Sequence, residues 1–165
     1  MKLSKKQLDD IIEELSRATL VSEEEFNRRV NLNAAWKRID EGSDYSTMKV
    51  IHYDISNVKL IEMLNELCGG KTENVTSLHV VEYFEGNYLR AHVDTSSRLT
   101  LNLLIESDCD GGDLIIEGKL AELDTPGDYV IYDGGIQKHE VTPITRGYRK
   151  TLIIWYSTTY KNKLL

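Results

Sequence analysis

The residues with the plainest chemical potential in this sequence are His92 and Asp94, two apart in YLRAHVDTS, Tyr88 to Ser96. Side chains two apart on a strand point to the same face. An imidazole and a carboxylate would then stand side by side, either as a surface ion pair or as two ligands of one metal ion. A metal needs a third ligand, and histidine is scarce, with four in the chain. His52 in IHYDI and His79 in LHVVEY lie in apolar strand contexts that suit a packed or surface histidine. His139 differs: in DGGIQKHEVTPI it follows a Gly-rich turn and opens a late strand. Two neutral imidazoles and one carboxylate on one face of an octahedral ion leave three positions open, an arrangement that suits Fe(II). On HxD alone, a surface pair with an unrelated histidine is the simpler reading.

Arg149, ten residues after His139, shifts that balance. In the strand RKTLIIWY, Arg149, Thr151, Ile153 and Trp155 alternate onto one face. An arginine turned into an apolar barrel is costly unless it meets an anion. Its guanidinium fork matches a carboxylate through two parallel bonds. A dicarboxylic co-substrate would bring one end to the metal and the other to Arg149, with Thr151 adding a hydroxyl donor. The competing reading turns Arg149 outward to a surface acid, beside Arg146 and Lys150.

The elements that must position these groups change period once along the chain. Leu8, Ile11, Ile12 and Leu15 recur at helical spacing, one stripe of an amphipathic helix. Ser22 with Glu25 three residues on forms a capping box, so a second helix starts there, with Phe26, Val30 and Trp36 facing inward. Met48 to Ile55 reads as a strand. A third helix carries Leu60, Leu64 and Leu67 and stops at Gly69-Gly70. From Ser77 onward come seven short strands: LHVVEYF, YLRAHVD, LTLNLLIE, DLIIEG, DYVIYD, EVTPI and KTLIIWY. They are divided by EGN, TSSR, SDCDGG, DTPG, DGG and TRG. That pattern indicates a mainly β jelly roll, a double-stranded β-helix, with N-terminal helices packed on one sheet.

Composition sets the outer bounds. The 165 residues favour one domain, 1–165, with a helical part to residue 76 and a jelly-roll core from 77 to 160. No apolar run approaches a membrane span, and MKLSKKQLDDIIEEL lacks the apolar core of a signal peptide. Cys68 and Cys109 form no CxxC pair and read as free thiols, so a cytoplasmic location is expected. A net charge of −7 disfavours a nucleic-acid partner. SDCDGGD has Lys119 where a calcium loop would close with Glu, and reads as a turn.

With these residues in view, the chain resembles the Fe(II)- and 2-oxoglutarate-dependent oxygenases, in their prolyl 4-hydroxylase-like branch. The order HVD, then GG, then GDYVIYDGGIQKHEVTPITRGYR, then a strand ending in Trp carries the resemblance, from Ser77 to Tyr156. It implies that His92, Asp94 and His139 hold Fe(II) and that Arg149 holds the distal carboxylate of 2-oxoglutarate. It also implies that Tyr83, nine residues before His92, lines the co-substrate pocket, where a core aromatic is the other reading. Gly111-Gly112 matches the family's GG. The implied activity is O2-dependent hydroxylation of a C–H bond, with ascorbate rescuing oxidised iron. The implied substrate is a prolyl residue in a peptide or protein, although relatives also take small molecules. Relatives carry Thr and Tyr on the strand after HxD, where this chain offers Leu101 and Ile105. Substrate loops are expected at Glu41 to Thr47, Ser56 to Asn57 and Asp124 to Asp128. The alternatives are a cupin-like metalloenzyme without 2-oxoglutarate and a non-catalytic jelly-roll module.

Overall fold

The computed structural model describes residues 1–22, 24–25, 48–95 and 97–158. Helix α1, Lys5–Arg17, starts at a full capping box in which Ser4 and Gln7 satisfy each other's backbone N–H. Ile11 and Leu15 of its apolar stripe are buried, and Leu8 packs against the same core. Ile12 stays exposed, and Glu14 is buried in its stead with Lys59 at 2.7 Å from its carboxylate. Helix α2, Val58–Cys68, is capped by the Asn57 side chain and ends at Gly69, whose φ of 71° is the left-handed cap expected of that glycine. At the expected intervening helix, Ser22 Oγ accepts from the Glu25 N–H. Phe26, Val30, Trp36 and the loop from Glu41 to Thr47 lie outside the described residues.

The remainder is two antiparallel sheets. One has the order β1-β2-β9-β4-β7: Lys49–Tyr53, Val75–Phe84, Ile144–Tyr156, Leu99–Gly111 and Tyr129–Tyr132. The other has the order β3-β8-β5-β6: Leu89–His92, His139–Val141, Leu114–Ile116 and Lys119–Leu120. This is the expected jelly roll with helices at its N-terminal side. Strand β1, from the N-terminal part, forms an edge of the larger sheet, paired to β2 from Lys49 to Tyr53. Among the described residues no helix is long and apolar enough to cross a membrane.

Two expected breaks are not breaks. The SDCDGG segment as far as Gly111 and the TRG segment lie inside β4 and β9, which pair with each other from Leu99 to Gly111. Gly147 allows this: its φ is 84°, and a Cβ there would collide with the Asp108 carbonyl. EVTPI divides instead, with Val141 ending β8 and Ile144 opening β9. Asp110 and Arg146 then face each other across the ribbon as an exposed ion pair at 2.8 Å.

The larger sheet is buried on both faces. Leu78, Val80, Leu101, Leu103, Leu152 and Ile154 meet the helices through Leu60, Ile61 and Leu64. On the opposite face, Val81, Tyr83, Leu104 and Tyr132 meet Leu114, Ile116 and Val141 of the smaller sheet. The candidate site opens between the two sheets, and its groups come from both.

Candidate metal centre

His92 ends β3 and His139 begins β8, and the two are register partners. The register slips between Leu89 and His92, so β3 carries a bulge there. Bulges re-aim side chains beside functional sites. Asp94 lies two residues past the end of β3 rather than on it. Its backbone N–H donates to Gly134 O at 2.7 Å, and its carbonyl accepts from the Ser97 N–H at 3.0 Å. The expected side-by-side placement holds, through a bulge and a pinned loop instead of plain alternation.

The three side chains converge. His92 Nε2 is 3.3 Å from Asp94 Oδ1, and His139 Nε2 is 3.2 Å from Asp94 Oδ2. One ligand atom from each residue lies within 4.8 Å of the others. His92 Nδ1 faces Arg90 O at 2.7 Å, and His139 Nδ1 faces Gln137 O at 2.9 Å. A carbonyl only accepts, so each Nδ1 carries the hydrogen and each neutral ring points a lone pair from Nε2 at the carboxylate. Two lone pairs and an anion in one place repel unless a cation or added protons intervene. This outer bonding is also how metal-ligating histidines are held. Burial pushes the Asp94 carboxyl up; when no metal is bound and added protons on Nε2 let His139 and His92 donate to it, those hydrogen bonds outweigh burial and hold the group down at about 2. Burial pushes the His139 ring down, and Asp94 overcomes that and raises it. A buried anion between two imidazoles is a site that can hold a divalent cation.

Gly134 sets the position of Asp94. A Cβ added there would stand 2.6 Å from Thr100 Oγ1 and 3.1 Å from Asp94 Oδ2. Gly134→Ala should therefore displace the carboxylate and weaken the binding of a divalent cation by about 10–100-fold, the usual cost of disturbing a ligand's support. Metal titration, with circular dichroism to check the fold, measures this; unchanged affinity would contradict it.

Arg149 points inward. It is 2% exposed, and neither Nη1 nor Nη2 has a hydrogen-bond partner. Burial lowers its pKa. Tyr83 stands opposite it on β2, with the guanidinium carbon 5.7 Å from the ring centroid. The Tyr83 hydroxyl is pushed up to about 12, first by burial. Thr151 Oγ1, fully buried, is likewise unpartnered. Gly112 lies against Arg149 and Ile144: a Cβ there would be 3.2 Å from Arg149 Cδ and would overlap the Ile144 side chain. Gly112 of the GG pair thus leaves room for the arginine's stem, while Gly111 lies against the Pro143 carbonyl.

Other pocket residues were not expected. Leu101 and Ile105, the positions aligned with the family's Thr and Tyr, face the helices. Asn102 lines the pocket. Tyr132 supplies a phenol from β7, edge-on to His139 with centroids 4.9 Å apart. His79 also lines the pocket, packed edge-on against Trp155 at 5.1 Å and with Nδ1 3.0 Å from Ser77 Oγ.

Burial, then the neighbouring His52, push His79 from 6.5 down to about 3. Its folded pKa is the lower one, so its stabilisation is complete above the unfolded value and is lost as pH falls from 6.5 towards 3. The full effect is on the order of 4–5 kcal/mol. His79→Leu should therefore show a shallower fall in urea midpoint between pH 7 and pH 4 than the parent; parallel curves would contradict this.

No protein-family model matches the chain. Solved structures do. The viral collagen prolyl hydroxylase of Paramecium Bursaria Chlorella virus-1, in complex with 2-oxoglutarate, is 14% identical with a TM-score of 0.54, over 84% of this chain and 92% of that one. A 2OG-Fe(II) oxygenase family oxidoreductase from Burkholderia pseudomallei is 14% identical with a TM-score of 0.52, over 67% of this chain and 66% of that one. A prolyl hydroxylase from Trichoplax adhaerens, in complex with a hypoxia inducible factor peptide fragment, is 18% identical with a TM-score of 0.50, over 68% and 64%. At these identities the likeness is one of architecture. The chain has the fold of the 2OG-Fe(II) oxygenases, prolyl hydroxylases among them.

Proposed function

We propose that this protein is an Fe(II)- and 2-oxoglutarate-dependent dioxygenase that hydroxylates a C–H bond. The observation that carries the reading is a pair of complementary sites joined through Tyr83, which lines the pocket and faces Arg149. One gathers the buried Asp94 carboxylate with the Nε2 atoms of two imidazoles. The other is the buried Arg149 guanidinium, whose two terminal nitrogens have no hydrogen-bond partner. A divalent metal and a dicarboxylate with a chelating end answer both.

In this reading His92, Asp94 and His139 hold Fe(II), while Arg149 grips the distal carboxylate of 2-oxoglutarate. Thr151 donates its hydroxyl to that carboxylate, and Tyr83 closes the pocket beside it. Bound Fe(II), with 2-oxoglutarate and O2, supplies the oxidising chemistry, yielding succinate and CO2 with the hydroxylated product. The protein fixes the ligand rings through Arg90 O and Gln137 O, neutralises the co-substrate and excludes water with Val81, Leu114 and Val141. The resemblance points to a prolyl residue in a peptide or protein as the substrate, with small molecules as the alternative.

The test is Fe(II)-dependent conversion of 2-oxoglutarate to succinate by the purified protein, including the slow turnover that needs no primary substrate. Succinate release that requires both iron and O2 is expected. Stoichiometric iron binding without succinate would return the site to a cupin-like reading.

A further inference from the structure

The pocket continues past the end that a co-substrate would fill. Arg149 stands opposite Tyr83, while Ile153 stands opposite His79 on β2 and Asn102 on β4. Four residues of β9 separate these rows, roughly 13 Å of strand. A five-carbon dicarboxylate gripped by Arg149 is shorter than that. The second row, with Trp155, is a wall of the same pocket, and it is neutral because His79 stays uncharged above acid pH.

Within this wall Asn102 is 3% exposed. Its Oδ1 has no hydrogen-bond partner among the described residues. An amide oxygen accepts and cannot donate. A buried acceptor left unpaired is costly, and an apolar side chain would line this wall without that cost. Neither Fe(II) nor the dianion of 2-oxoglutarate offers a hydrogen to it. Of the components of the proposed reaction, the primary substrate is the one that can offer it.

We propose that Asn102 is a specificity-determining residue, its Oδ1 accepting a hydrogen bond from a neutral N–H beside the reacting carbon of an amide or lactam substrate. Trp155 and Ile153 pack on the apolar part of the same group. The ring nitrogen of a peptidyl proline carries no hydrogen and cannot make this bond, so the inference favours the small-molecule alternative over the prolyl substrate to which the resemblance points. This inference rests on the oxygenase reading and narrows its substrate class.

The experiment uses the full chain loaded anaerobically with Fe(II) and 2-oxoglutarate. Two five-membered-ring probes are titrated: L-pyroglutamide, whose lactam has an N–H, and N-acetyl-L-prolinamide, whose ring nitrogen has none. Calorimetry and tryptophan fluorescence report binding. The parent protein should bind the lactam at least tenfold more tightly. Asn102→Leu should erase that preference, and Asn102→Ser, which keeps an acceptor, should restore part of it. Equal binding of the probes, binding of neither, or a preference that survives in Asn102→Leu would overturn the assignment. Failure of the parent protein to take up Fe(II) and 2-oxoglutarate at all would instead sink the oxygenase reading, which separates the two outcomes.

Discussion

Asp94→Ala should abolish Fe(II) binding and turnover together. Asp94 is the only anion in the triad, and each of its carboxylate oxygens faces one imidazole. It is 4% exposed, so solvent cannot replace its charge. Without it, two neutral rings remain to hold a dication in a largely apolar pocket. Breaking a buried, hydrogen-bonded charge pair costs about 3–5 kcal/mol, which at 1.4 kcal/mol per decade is on the order of 10²–10³ in affinity. Metal content after desalting and succinate release should both fall to background. A protein lacking both the His92 and Asp94 side chains yet fully active would end the account.

Arg149→Met separates function from stability. In the metal-free fold the guanidinium is buried with both terminal nitrogens unpaired, a cost of about 1–3 kcal/mol or more for a charged group. Methionine fills similar space without a charge. The variant should therefore unfold at a higher urea concentration than the parent, as replacements of buried charges by apolar residues often do. Its KM for 2-oxoglutarate should rise by about 10² or more, because two charge-assisted bonds to the co-substrate are lost. The parent should gain thermal stability on adding 2-oxoglutarate and the variant should not. A less stable variant with unchanged KM would make Arg149 a structural residue.

The convergence of His92, Asp94 and His139 was legible because histidine is scarce and its spacing to Asp94 and Arg149 is distinctive. The barrel was legible because Gly-rich turns punctuate its strands. Every residue from Leu99 to Ile105 is buried, yet Thr100 and Asn102 alternate with Leu99, Leu101 and Leu103, so the polar side of β4 is written in the sequence. Leu101 and Ile105 came from matching the family's pattern, and that alternation would have pointed to Asn102 instead. Other features were hidden for physical reasons. Tyr132 sits on another strand and takes its place only through tertiary pairing, Thr100 opposite Tyr132. The TRG segment carries turn residues, but twelve paired positions between β4 and β9 override local preference, and Gly147 absorbs the irregular backbone. The β3 bulge left no mark in the sequence, since Arg90 and Ala91 are ordinary strand residues.

The most direct measurement is anaerobic visible absorbance of the protein with Fe(II), with 2-oxoglutarate, and with both. The account predicts a weak charge-transfer band that appears only when both are present and is absent in Asp94→Ala. Bound iron with no band on adding 2-oxoglutarate would contradict the role given to Arg149, and no bound iron would reduce His92, Asp94 and His139 to a buried hydrogen-bonded cluster.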